Sequence, residues 1–358
     1  MNEQEPAFEP GVPAEPAAVP PQAAETETPD LRKEAGRCFS TLGLGAFVIL
    51  ALATALQLAA SFYTEFAAPA WASEPWAIWV LTFVPLYCVG IPAGLLIMRR
   101  VPPHRAADAP FGTGRFLSLL PMCLFLMYAG NLVGVLITSL ISSFKGSEVS
   151  NPLESYAMGD ASVVIKVLVM VILAPLAEEF IFRRVLIDRM RIYGEKTAVA
   201  TSALMFGLFH GNLSQFFYAA ALGALFGYVY VRTGRLRYSA GLHIGVNALG
   251  SVVAPWLLQN AGIDELSALD SSTLLTDPEA LSRLVTPGLL LFLLYGLLLI
   301  VFSILGLVLL CINLRRLTFV PAERELPREG RVATVWCNVG MILLVVSCLG
   351  MIVFSTLI

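Results

Sequence analysis

The chain has 358 residues, 57% of them hydrophobic and only 14% charged, with a formal net charge of -3. A soluble domain carries about 25% charged residues, so this composition points to an integral membrane protein. The small net charge, with no glycine-rich phosphate loop and no basic stripe interleaved with aromatics, counts against nucleic acid as a partner.

Residues 1–36 are rich in Pro, Ala and Glu and almost free of large apolar side chains. Such a segment cannot bury enough surface to offset its ordering entropy, so it reads as a disordered cytoplasmic tail. It lacks a basic region leading into an apolar one, so it is not a signal peptide, and the first membrane helix is expected to be uncleaved.

A membrane helix needs about 20 apolar residues. On that rule the spans are 41–63, 76–98, 116–142, 162–188, 197–211, 214–232, 239–258, 286–313 and 333–357, with eight as the fallback if the short fifth is re-entrant. The fold class is therefore all-α, a polytopic transmembrane bundle of about nine spans. Its organisation is a tail (1–36), N-terminal membrane helices (37–159), a core (160–258), an external loop (259–285) and C-terminal membrane helices (286–358). Within the loop, "LTDPEALSRLV" reads as a short interfacial helix.

Basic residues set the orientation. Arg32, Lys33 and Arg37 precede the first span; Arg99, Arg100, Arg105 and Arg115 follow the second. Arg189, Arg191 and Lys196 follow the fourth, Arg232, Arg235 and Arg237 the sixth, and Arg315, Arg316, Arg324, Arg328 and Arg331 the eighth. The opposite loops hold only Lys145 and Arg283. Nine spans with a cytoplasmic N-terminus and an external C-terminus put every basic cluster on one side. Trp71, Trp76, Trp79 and Trp256 then fall at the outer interface, where amphipathic rings are favoured. The six cysteines lie in or beside apolar runs with no CxxC pair, and read as small buried hydrophobes.

The stretch "APLAEEFIFRR", Ala174 to Arg184, breaks this pattern with four charges in the fourth span. A carboxylate at bilayer depth costs roughly 2.5–3.5 kcal/mol on insertion scales, so two neighbours call for an explanation. Glu179 and Arg183 are about 40° apart around a helix and can pair. Glu178 is about 140° from Arg183 and points elsewhere. Snorkelling at the cytoplasmic end accounts for Arg184, Asp188 and Arg189, but "FIFRRVLI" continues the apolar run past Glu178. Pro175 removes a backbone donor one turn earlier and is expected to kink the helix.

Two of the three histidines also sit in predicted spans: His210 one turn after Phe206, and His243 one turn before Asn247. A lone membrane histidine is often a packing residue. Polar groups on three separate helices must face one another or water, which implies one intramembrane polar site. A carboxylate withdrawn from water suits a general base, a histidine can help orient and deprotonate water, and a His–Asn pair offers donors to an oxyanion. Together these are the parts for peptide hydrolysis without a covalent nucleophile. Glu178, His210 and His243 could instead bind a divalent metal such as zinc, although no HExxH is present.

"EEFIFR", "FGLFH" and "HIGVN" fit the EExxxR, FxxxH and HxxxN motifs of the CPBP intramembrane proteases, which are relatives of the type II CAAX prenyl endopeptidases and are also called the Abi family. The resemblance covers 160–258. It implies Glu178 as catalytic base, His210 as its partner on the attacking water, and His243 with Asn247 as the oxyanion-stabilising pair. Glu179, Arg183 and Phe206 support them. It also implies an intramembrane endopeptidase acting on membrane-associated or lipidated proteins or peptides, with or without a metal. The alternatives are a non-catalytic scaffold or bacteriocin-immunity protein on the same fold, and a proton-coupled transporter using Glu178, although the two matching halves common in transporters are absent. The tail composition and the lack of organelle signals point to a bacterial cell membrane. The cavity is expected in the cytoplasmic half, because the glutamates follow most of the fourth span.

Overall fold

Where no water is available to satisfy backbone N–H and C=O groups, the helix is the form that pairs them within one segment. The computed structural model describes residues 28–72, 74–149, 151, 156–159, 161–262 and 285–357, and these are helical with no strand among them. In chain order the long helices are α1 (Thr28–Ala67), α2 (Ala77–Met98), α3 (Thr113–Lys145), α4 (163–190) and α5 (Glu195–Phe209). They continue with α6 (Leu213–Thr233), α7 (Leu236–Gln259), α8 (Pro287–Leu314) and α9 (Val339–Leu357). Seven of them are long and apolar enough to cross a membrane, which makes this a multi-pass membrane protein. The other two are α4, interrupted by Glu178, Glu179, Arg183 and Arg184, and α5, only 15 residues long. Both carry candidate site residues.

Helix α6 packs against α5 and α3, α8 covers α3, and α1 packs against α2 and α9. The seam between α1 and α9 is a backbone contact. A Cβ added to Gly43 would lie 2.6 Å from the Met341 nitrogen, an approach that only a small residue permits.

Three expectations need correction. The tail does not run to residue 36: α1 starts at Thr28, and residues 1–27 lie outside the described residues. Ala35, Cys38, Phe39 and Leu42 form a buried stripe at helical spacing, while Glu34 receives both arms of Arg324 at 2.5–2.6 Å. Average composition hid that stripe behind the charges on its outer face. The last predicted span is also broken. A short helix, Arg331–Trp336, stops where the Asn338 side chain donates to Val335 O and accepts from the Met341 N–H, capping α9. Of the cysteines, all free, Cys38, Cys123 and Cys348 are buried, but Cys88, Cys311 and Cys337 are exposed. The external loop is described only at its margins, and "LTDPEALSRLV" lies outside the described residues except for its last residue.

The basic clusters gather at one end of the bundle. Arg37, Arg100, Arg189 and Arg324 line one depression there, and Arg191 and Arg232 both donate to Glu195, which also accepts from the Val320 N–H at 2.9 Å. At the other end Phe62 and Phe66 pack together and Trp71 meets Trp76, all four exposed. Trp79 departs from the interfacial reading. It is buried, stacked on Phe83 and met edge to face by Tyr156.

Candidate active site

The site begins with a backbone defect in α4. Two π-helical stretches, Val167–Leu173 and Phe180–Ile187, flank the α-helical turn Ala174–Glu179 that carries the glutamates. The Ala174 N–H reaches back five residues to Val169 O. The next donor in that wide ladder would be Pro175, which has none. The Met170 carbonyl is therefore left for a side chain, and Asn247 Nδ2 of α7 donates to it at 2.8 Å. A proline and an asparagine on different helices thus complete one hydrogen bond.

Glu179 and Arg183 form a bidentate pair, with Nε to Oε2 and Nη2 to Oε1 both at 3.1 Å and neither side chain exposed. The third arm of Arg183 donates to Ser202 Oγ at 3.2 Å, and Ser202 in turn donates to Phe182 O at 2.7 Å. The guanidinium also lies over the Phe206 ring, 5.0 Å from its centroid. Glu179 Oε1 further accepts from His243 Nδ1 at 3.2 Å. Both oxygens of Glu179 accept from Arg183, so in this contact the carboxylate accepts and the proton sits on Nδ1. His243 Nε2 then faces Glu178 Oε2 at 3.6 Å. Glu178 keeps 32% of its side-chain surface open, against 0% for Glu179. The helix period separates the two carboxylates into one locked and one available.

His210 stands at the C-terminal end of α5, and its Nδ1 is 2.8 Å from Phe206 O. A carbonyl only accepts, so Nδ1 carries the proton and Nε2 is the free acceptor of the neutral ring. Phe206 meets both imidazoles edge to face, at centroid distances of 4.9 Å to His210 and 5.7 Å to His243. Just beyond His210, Asn212 caps α6. Its Oδ1 accepts from the Gln215 N–H at 2.9 Å, and its Nδ2 donates to His210 O and Gln215 Oε1, both at 2.8 Å.

Glu178, His210, His243 and Asn247 all line one cavity of about 380 Å³. Its outer wall includes Phe83, Tyr156, Met170, Ser251 and Ala254. These belong to the tryptophan-end parts of α2, α4 and α7 and to the segment before α4, so the cavity does not extend towards the arginine end as the sequence suggested. That end is tied shut by the Glu195 ion cluster and by Tyr230 donating to Asp188 at 2.9 Å. Sequence reasoning missed Ser202, Asn212, Gln215 and Tyr218. Only Asn212 and Gln215 left a signal, in the turn "GNLSQ".

A zinc site of Glu178, His210 and His243 would need the three to converge. Among the described residues no group of three or more His, Cys, Asp or Glu side chains is placed to hold a metal ion. Glu178 and His243 face each other at 3.6 Å, while His210 makes its ring contact with Phe206. The arrangement does not fit a three-ligand metal centre.

Residues 160–249 match the family model of the type II CAAX prenyl endopeptidase Rce1-like proteins. The matched stretch runs from just before α4 into α7 and contains all three motifs, in agreement with the resemblance to the CPBP proteases. No curated protein and no solved structure matches the chain.

Proposed function

We propose that this chain, whose central helices match a prenyl endopeptidase model, is an intramembrane peptidase acting on membrane-associated or lipidated proteins or peptides. The observation that carries the reading is the cavity. A carboxylate outside the Arg183 pair, two imidazoles with fixed tautomers and an amide line one cavity inside a helical membrane bundle. Glu178, with His210 on the same water, takes a proton as the water oxygen bonds to the scissile carbonyl carbon. The carbonyl π pair moves to its oxygen. As the C–N bond breaks, His243 Nε2 passes the proton from Glu178 to the leaving amine. Glu179 holds the imidazole in the required tautomer and stabilises its charged form, as the carboxylate of a catalytic triad does. Asn247 keeps one amide proton for Met170 and has the other for the substrate.

The test is a comparison of protein C-termini in membranes holding the parent chain or Glu178→Gln. New termini present only with the parent support the reading, and identical sets sink it. A prenylated CAAX-type peptide in liposomes is the first defined substrate to try. We further propose that the arginine end faces the cytoplasm, which the positive-inside rule supports.

A further inference from the structure

Three of the four N–H protons of the His210, His243 and Asn247 side chains are committed elsewhere. His243 gives its Nδ1 proton to Glu179, His210 gives its own to Phe206 O, and Asn247 gives one amide proton to Met170. A further donor follows from hydrogen-bond accounting along the first turn of α6. The backbone N–H of Gln215 is a donor without ambiguity, so the atom of Asn212 that it meets at 2.9 Å is the oxygen Oδ1. Asn212 Nδ2 then has to be the donor at 2.8 Å from Gln215, which makes that atom Oε1. The remaining Gln215 amide atom, 3.0 Å from the Tyr218 hydroxyl, is therefore Nε2, and it donates. The phenolic oxygen accepts, so its own proton must go to another partner. Tyr218 lines the cavity with Glu178, His210 and His243.

The position of Tyr218 is built in. A Cβ added to Gly130 of α3 would lie 2.5 Å from the Tyr218 Cα. Helices α3 and α6 thus meet backbone to backbone at this residue. The phenol is held from both sides, by the helix seam and by the amide chain that also fixes the His210 carbonyl at 2.8 Å.

We infer that the Tyr218 hydroxyl is a further catalytic donor, hydrogen-bonded to the scissile carbonyl oxygen as that oxygen gains charge. The inference rests on the peptidase reading. When water attacks, the new C–O bond displaces the carbonyl π pair onto oxygen, and the Tyr218 O–H meets it there without being transferred. When the C–N bond breaks, the pair returns and the hydroxyl is unchanged. Such a donor acts on the transition state more than on the bound substrate.

The experiment uses the full chain in liposomes with a quenched fluorescent peptide copied from a cleavage site that depends on Glu178. Tyr218→Phe should keep its melting temperature and KM and lose kcat by roughly 10²–10³-fold, the effect of removing one oxyanion donor. A parental kcat, or a loss confined to KM, overturns the assignment. If Tyr218→Phe is destabilised, Gln215→Met decides. That variant keeps the phenol but frees it to turn, so kcat should fall, and a parental kcat again overturns the assignment. Glu178→Gln separates the two ideas. Identical sets of protein C-termini in membranes holding the parent or that variant remove the peptidase reading, and Tyr218 with it. An inactive Glu178→Gln beside a fully active Tyr218→Phe removes Tyr218 alone.

Discussion

Glu179 accepts from Arg183 twice and from His243 once with no exposed surface, whereas Glu178 faces His243 and keeps an open side on the cavity. The two should therefore fail differently. Glu178→Gln keeps shape but cannot take a proton, so cleavage should fall by about 10²–10⁴ with an unchanged melting temperature. Glu179→Gln leaves the buried Arg183 charge unpaired, which costs roughly 3–5 kcal/mol and should show as thermal destabilisation in detergent. Adding Arg183→Met removes the lone charge and should return part of that stability. Activity should stay low, because a neutral amide does not stabilise the charged imidazole of His243. If Glu178→Gln is the unstable variant and Glu179→Gln a stable, inactive one, the roles are reversed. The helix period was enough to tell these carboxylates apart in sequence, since it needs only residues five positions apart. The contact of His243 with Glu179 was not legible, because it joins α4 to α7 across 64 positions and nothing along one chain records that pairing. Tyr218 was hidden for the same reason, being one aromatic among many in an apolar helix.

At the scale of the element, the wide turns of α4 decide where the glutamates point. Pro175 suggested a kink in the sequence, but not the π-helical stretches on either side, which depend on how α7 packs against α4. Asn247 is the link between the two. Replacing it with Leu leaves the Met170 carbonyl buried without a donor, at a cost of about 1–3 kcal/mol. Pro175→Ala restores a backbone N–H beside that carbonyl, so the same Asn247→Leu change should cost less in the Pro175→Ala background. The coupling between the two changes should fall in the range of about 0.5–3 kcal/mol expected for residues sharing a partner. Denaturant unfolding of the four proteins measures it, and strictly additive losses would show that Asn247 does not serve this carbonyl. Other element limits escaped the sequence for local reasons. The extension of α1 back to Thr28 packs only Leu31 and Ala35 among its charges, and the break before α9 is one asparagine cap.

At the largest scale, hydropathy located all nine long helices of the described residues in order, because lipid leaves a long apolar segment little choice of form. It did not tell which of them face lipid: α8 is the most exposed, while the less apolar α5 and α6 are largely interior and frame the cavity. Orientation rests on charge. The basic residues following α2, α4, α6 and α8 meet at one end with Arg37, in contacts with Glu34 and Glu195 and around a shared depression. At the other end the described basic residues are Lys145 and Lys166, each donating to a backbone carbonyl, of Thr356 at 3.2 Å and Ala157 at 2.8 Å. An excess of arginine on one face retains that face in the cytoplasm. With nine crossings, a reporter fused after Ile358 should then be external, active as a periplasmic or surface enzyme and open to added protease, while one fused before Thr28 should be protected. A cytoplasmic reporter after Ile358 would mean that one helix does not cross. Helix α5, at 15 residues, is too short to span the hydrocarbon core of about 30 Å unaided. A second fusion between α5 and α6, after Gly211, tests its depth. Arg191 before α5 and Arg232 at the end of α6 share Glu195, so protection at 211 with an external reporter at 358 would identify α5 and α6 as a re-entrant pair with His210 near its tip.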